Sequence, residues 1–413
     1  MITNLGMEQE TRKNLWSQYA AEAKAEPNFA AASDEERRKI RQNMMRRVQF
    51  LGANAGAVSH GDVMMRFTFA INGLPGRGGY PVYIAMHGGG QGHPIMNETQ
   101  FAGMSRRYRD SVDNGIYISV RGVRDTWHTH FNPESYPCYD KLIEALVLNH
   151  NADPNRVYLL GYSAGGDGVY GITPLMPDRF AAVNMSAGHH NNISAVNFMN
   201  TPILLQCGDK DTPFNRNHET VKYGQKIKEL RGKYPGYVSE TYIHVDKEHS
   251  HVVDHSDKRV LQKIYKDAVA WYENEALEHE TIEANTNAMD WMNRYVRNPI
   301  PAVLAWDLSA RAEMRENDCY YWLRAGKEQR SGILRASYNG ETNTINIATE
   351  EFAGKFTVLL NYDMLDLCKE IKVNVNGIEW AHTVAPSEEI MAKTLKERGD
   401  VNFCFSAEIE IEV

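Results

Sequence analysis

The chain has 413 residues, 42% hydrophobic and 24% charged, with Lys+Arg 45 against Asp+Glu 53 for a formal net charge of −8. That length suits two domains with room for a third small one, and the ordinary composition excludes a disordered or fibrous chain. The acidic balance excludes the broad basic field of non-specific nucleic-acid binding, and no apolar run reaches the roughly 18 residues of a membrane span.

In chain order, residues 1–60 read as an N-terminal helical extension. Ser33 and Glu36 form a capping box, and Ile40, Met44, Val48 and Leu51 recur at helical spacing behind it. The basic residues Arg37, Arg38, Lys39, Arg41, Arg46 and Arg47 on that helix read as a solvated face.

From about residue 62 short apolar runs alternate with helix-length segments. VMMRFTFAI, PVYIAMHGGG, IYISVRG, NRVYLLGYSAGG, RFAAVNMSAG, TPILLQCGDKD and VSETYIHV are short apolar runs of strand length, and several are near-continuous, as suits strands buried on both faces. YDKLIEALVLNHN and NHETVKYGQKIKELRGKY have helix length, and a helical stretch over about 258–296 closes this part. Residues 61–298 are therefore expected to form an α/β domain with a doubly wound, mostly parallel sheet. Residues 299–413 alternate apolar and polar positions between Asn-Gly turn signals, which predicts a small antiparallel β-sandwich-like accessory domain.

Gly161-Tyr162-Ser163-Ala164-Gly165 fits G-x-S-x-G between an apolar run and a helix. This strand–turn–helix context presents a serine hydroxyl as a nucleophile. His87-Gly88-Gly89-Gly90 ends an earlier strand, where Gly88 and Gly89 can donate N–H groups, together with Ala164, to an oxyanion. A phosphate cradle fits less well, since the loop lacks the Walker lysine. The acid should follow the serine and the histidine should follow the acid. In Gly208-Asp209-Lys210-Asp211, Asp211 sits deeper in the loop and Asp209 stays with the turn. His249 and His251 both qualify as the base, with His255 more remote.

Other histidines have competing readings. His249-Ser-His251-Val-Val-Asp254-His255 nearly spells the H-x-H-x-D-H pattern of metallo-hydrolases, with one residue too many. His128 and His130, and His189 and His190, are lone pairs rather than ligand sets. No cofactor and no metal are expected. Arg121, Trp127, His128, His189 and His190 are expected on segments near the pocket mouth, either choosing the substrate or serving as scaffold.

HGGG, GYSAGG, an acidic loop and a late histidine resemble the α/β-hydrolase superfamily of serine esterases. NRVYLLGYSAGGDGVYG, FAAVNMSAGHHN and GDKDTPFNRN are more closely similar to a group of predicted carboxylesterase/phospholipase and poly(3-hydroxybutyrate) depolymerase-like esterases. The resemblance implies a catalytic triad of Ser163, Asp211 and His249, the last from the register of GYVSETYIHVDKEH. It implies hydrolysis of a small-molecule or oligomeric ester through an acyl-enzyme. A serine peptidase of the prolyl-oligopeptidase type and a non-catalytic interaction protein on the same fold are the alternatives.

Five cysteines, Cys138, Cys207, Cys319, Cys368 and Cys404, are scattered without a CxxC, and MITNLGMEQETRKNLW lacks an apolar signal core. Buried free thiols and a cytoplasmic location are expected, with no nucleic-acid partner, no membrane span and self-association into a homo-oligomer open.

Overall fold

The structure, a computed structural model, describes residues 2–25, 54–250, 260–276 and 278–413. The Ser33–Glu36 capping box and the basic helix lie outside the described residues. Two compact units result: residues 1–29 with 298–413, and residues 30–297.

Helix α1 (Leu5–Ala25) starts where the Asn4 side chain accepts the Met7 N–H at 2.9 Å. It belongs to the unit formed with the C-terminal residues, because Leu15, with Ile2, Trp16 and Tyr19, packs against Met391, Leu395 and Cys404. This differs from the N-terminal extension expected over residues 1–60, as does strand β1 (Asn54–His60), which joins the sheet of the larger unit. The docking face of α1 finds its partners some 370 residues further along the chain, so local periodicity does not report it.

The larger unit continues with β2 (Val63–Asn72), β3 (Tyr80–Met86), α2 (Pro94–Arg107), β4 (Gly115–Val120), α3 (Ser135–His150), β5 (Ala152–Tyr162), α4 (Ala164–Ile172), β6 (Ala182–Ser186), β7 (Ile203–Gly208), α5 (Arg216–Lys233) and β8 (Ser239–His244). It closes with β9 (Gln262–Tyr265), α6 (Ala268–Glu273), β10 (Thr281–Ala284) and α7 (Ala288–Met292). These four elements replace the single helical stretch expected over about 258–296. The physical reason lies in two caps and a strand pairing. Asp267 and Asn287 cap separate short helices, and β9 pairs antiparallel with β10 from Thr281↔Tyr265 to Ala284↔Gln262.

Among the described residues ten strands form one sheet in the order β1-β2-β4-β3-β5-β6-β7-β8-β9-β10. From β4 to β8 the neighbours are parallel, and antiparallel strands flank them on both sides. Every residue of β4, β6 and β7 is buried, which is why those runs read as continuous apolar sequence. Helices cover both faces. Met104 of α2 and Met289 and Trp291 of α7 pack with Tyr83, Tyr117, Tyr158 and Leu204. Gly168 of α4 and Gly224 of α5 approach Met86 and Leu205, the alternate strand positions on the opposite face.

In the other unit, strands β11 (Val303–Asp307) to β19 (Ala407–Glu412) form a five-stranded and a four-stranded sheet, and α8 (Glu388–Arg398) completes it. One apolar cluster draws on both sheets, with Trp306, Leu334 and Ile347 from one and Leu323, Val358 and Ile409 from the other. All pairings are antiparallel except one, between β15 (Thr344–Glu350) and β17 (Ile371–Val375). Asn376 and Gly377, both with positive φ, make the two-residue hairpin turn after β17. Four cysteines are buried free thiols, and Cys368 departs from expectation by being exposed.

Candidate active site

The site forms at the carboxyl ends of the parallel strands, where an open α/β sheet leaves a crevice. Ser163 occupies the turn between β5 and α4 with φ 57 and ψ −121, outside the conformations a serine ordinarily adopts. Such strain persists only where the surroundings overdetermine it. Here the Ser163 N–H donates to Ser186 O at 3.0 Å, and Ser163 O accepts from the Asp167 N–H at 2.9 Å. Glycine at 161 and 165 is a packing requirement. A Cβ at Gly161 would collide with the Gly165 carbonyl, and one at Gly165 with the Met86 carbonyl.

Ser163 Oγ lies 3.0 Å from His249 Nε2, and His249 Nδ1 lies 2.9 Å from Asp211 Oδ2. An ionised carboxylate only accepts, so the geometry calls for a proton on Nδ1 and leaves Nε2 as acceptor for the serine hydroxyl. Asp211 is wholly buried, whereas the His249 side chain keeps 31% of its surface exposed. Asp209 serves the turn: its carboxylate accepts from the N–H groups of Asp246 and Lys247 and from the Tyr265 hydroxyl, each at 3.1 Å. His251, Asp254 and His255 lie outside the described residues.

The loop Gly88–Gly90 borders the serine. A Cβ at Gly88 would stand 3.2 Å from the Ser163 Cβ, and one at Gly90 would stand 3.4 Å from the Ala164 Cβ. Ala164 opens α4, whose first backbone N–H groups have no partner within the helix. The Gly90 N–H is engaged by Asn97 Oδ1 at 3.0 Å, and Asn97 Nδ2 donates back to Gly90 O at 2.9 Å. Gly88 and Gly89 thus remain the candidates for oxyanion donors from this loop.

His87 fixes the start of that loop. It is completely buried; its Nε2 accepts the Gly122 N–H at 3.2 Å and its Nδ1 donates to Gly88 O at 2.5 Å. Burial, with Arg121 and Arg66 nearby, holds its pKa down at about 3, so the ring is neutral. His130 Nε2 donates to His87 O at 2.8 Å, and burial likewise holds that imidazole well below its ordinary value.

The residues expected at the pocket mouth have different places. Arg121 is buried in a network with Glu98, Asp125 and Gly122 O, and Asp125 also accepts from Asn97 at 2.7 Å. It supports the glycine loop as scaffold. His190 is buried with Nε2 2.9 Å from Glu219. The His189 N–H donates to Asp167 at 2.7 Å, and His128 packs against Phe131. Trp127 is exposed and meets Phe214 edge to face. Sequence reasoning missed Asn97, Tyr162, Phe214 and Arg216. Asn97 and Arg216 carry no local signal, and Tyr162 stands inside the G-x-S-x-G pattern at its variable position.

Among the described residues no group of three or more His, Cys, Asp or Glu is placed to hold a metal ion, and no helix is long and apolar enough to cross a membrane.

The strand order, the parallel centre and the serine on the turn after β5 make this an α/β-hydrolase fold. No protein-family model matches the chain, and no curated protein matches it. Among solved structures the chain is similar to a thermostable esterase, at 18% identity and a TM-score of 0.42 over 59% of this chain and 63% of that one. It is also similar to the dipeptidyl peptidase 4 of Porphyromonas gingivalis, at 14% identity and a TM-score of 0.35 over 48% of this chain and 32% of that one. The acylaminoacyl peptidase of Pyrococcus horikoshii is similar at 16% identity and a TM-score of 0.34, over 48% of this chain and 38% of that one. The chain spans less than two thirds of the length of each of these three.

Proposed function

We propose that the protein is a serine hydrolase that cleaves a carboxylic ester through an acyl-enzyme. The observation carrying this reading is the pair of contacts from His249, 3.0 Å to Ser163 Oγ and 2.9 Å to Asp211 Oδ2. Ser163 Oγ attacks the ester carbonyl while His249 Nε2 takes its proton, and Asp211 orients the ring and stabilises the imidazolium. The oxyanion is held by the N–H groups of Ala164 and of Gly88 or Gly89, donors whose individual loss typically costs ~2.7–4 kcal/mol of transition-state stabilisation. His249 then returns the proton to the leaving alcohol. Water, deprotonated by the same ring, resolves the acyl-enzyme and frees Ser163.

The test is labelling with a fluorophosphonate combined with Ser163→Ala. The variant should fold, lose the label and lose several orders of magnitude in kcat on short acyl esters. Activity within about tenfold of wild type would sink the assignment. Comparing those esters with aminoacyl amides separates an esterase from a peptidase. These steps use no metal, so EDTA should leave the rate unchanged, and a loss restored by zinc would move the chemistry to the histidine cluster. The free thiols favour a reducing compartment, and we place the activity in the cytoplasm.

A further inference from the structure

We propose that Trp127 and Phe214 form a wall for a ring-bearing ester, so that the enzyme prefers substrates with an aromatic ring a few bonds from the scissile group. This rests on the ester-hydrolase reading and adds its substrate class. The two rings meet edge to face, centroids 5.7 Å apart and planes at 61°. Yet Trp127 is 42% exposed and Phe214 62% exposed, so the pair serves no core.

Each ring belongs to a loop of the site. The Trp127 carbonyl stands 3.6 Å from the position a Cβ would take on Gly90, and that same position is 3.4 Å from Ala164. Phe214 follows Asp211, whose carboxylate meets His249. The pair therefore joins the segment that borders Gly90 to the loop that carries Asp211.

Phe214 is also restrained by Arg216. Its backbone is left-handed, with φ 59 and ψ 19, and the Arg216 guanidinium lies 4.8 Å from its ring centroid. Arg216 is buried, donates to Pro213 O at 3.1 Å and stands 3.8 Å from Asp211 Oδ1, so its charge is already committed within the protein. A ring backed by a fixed cation has little freedom left to lose on binding, the condition under which an apolar surface discriminates. Aromatic rings prefer offset or edge-to-face partners, so a flat ring gains more here than an alkyl chain of similar reach.

The experiment measures kcat/KM for two matched pairs: methyl hydrocinnamate against methyl butanoate for the acyl side, and phenethyl acetate against butyl acetate for the alcohol side. Wild type should favour the ring-bearing member by about tenfold or more in one pair, and that pair identifies the side of the ester that meets the wall. Trp127→Ala and Phe214→Ala, with the milder Trp127→Leu and Phe214→Leu, should each lower the ratio by about tenfold, equivalent to about 1.4 kcal/mol. A ratio of two substrates on one preparation does not depend on the folded fraction, so partial unfolding cannot imitate the effect. Hydrolysis of all four esters without a ring preference, or a preference that the variants leave intact, overturns the inference alone. Hydrolysis of none of them overturns the ester-hydrolase reading and this inference with it.

Discussion

The Tyr162 hydroxyl donates to the backbone carbonyl of His249 at 2.7 Å, and the two rings stack with centroids 5.4 Å apart and planes at 28°. The residue before the serine thus grips the residue proposed to activate it, across 87 positions of sequence. Tyr162 is buried, which pushes its phenol pKa up and keeps the hydroxyl protonated as a donor.

Tyr162→Phe should therefore act on the placement of His249 more than on folding. The lost hydrogen bond should cost about 0.5–1.5 kcal/mol in urea unfolding. Misplacement of the proposed base should lower kcat by about 10²-fold with little change in KM. A variant with unchanged kcat would show that His249 holds its position without this bond.

Asn97→Ala should loosen the glycine loop. The side chain donates to Gly90 O, accepts from the Gly90 N–H and ties both to Asp125. Its removal frees the Gly90 N–H and loosens the donors proposed for the oxyanion, so kcat should fall by about 10- to 100-fold. Comparing kcat with KM checks this, since a residue that only contacts substrate would move KM instead.

Gly165→Ala should destabilise the larger unit. The added methyl would run into the Met86 carbonyl, a backbone atom that cannot rotate away. Overpacking of this kind costs typically about 1–3 kcal/mol, and the urea midpoint should fall accordingly.

Stability should fall as pH drops below about 6.5. His87 and His244 are held at about 3 in the fold by burial, and His130 well below its ordinary value, against about 6.5 unfolded. Between those values the unfolded chain binds protons that the native protein does not, so each pH unit of acidification favours unfolding further. The slope approaches about 1.4 kcal/mol per pH unit per histidine at most, and is lost again below the folded values. Chemical unfolding at pH 7 and pH 5 measures it. His244→Asn should flatten the slope, as it removes one of these imidazoles while an amide can still face Gln206.

The sequence by itself determined what near neighbours decide. Strands buried on both faces must be almost wholly apolar, so β4, β6 and β7 stand out as runs, as does nearly all of β3. The tight turn at Ser163 requires small residues two places either side, so Gly161 and Gly165 announce it. Contacts between distant segments leave no such trace. The β9–β10 pairing, the docking of α1 through Leu15 and the meeting of Trp127 with Phe214 each join residues whose spacing follows no period. In sequence His249 and His251 differ by two residues, less than any periodicity resolves. Only the folded chain brings His249 within hydrogen-bonding distance of both Ser163 and Asp211. The reason is physical: backbone preference and burial are written residue by residue, whereas a long-range contact exists only when the whole sheet has closed the loops between its partners.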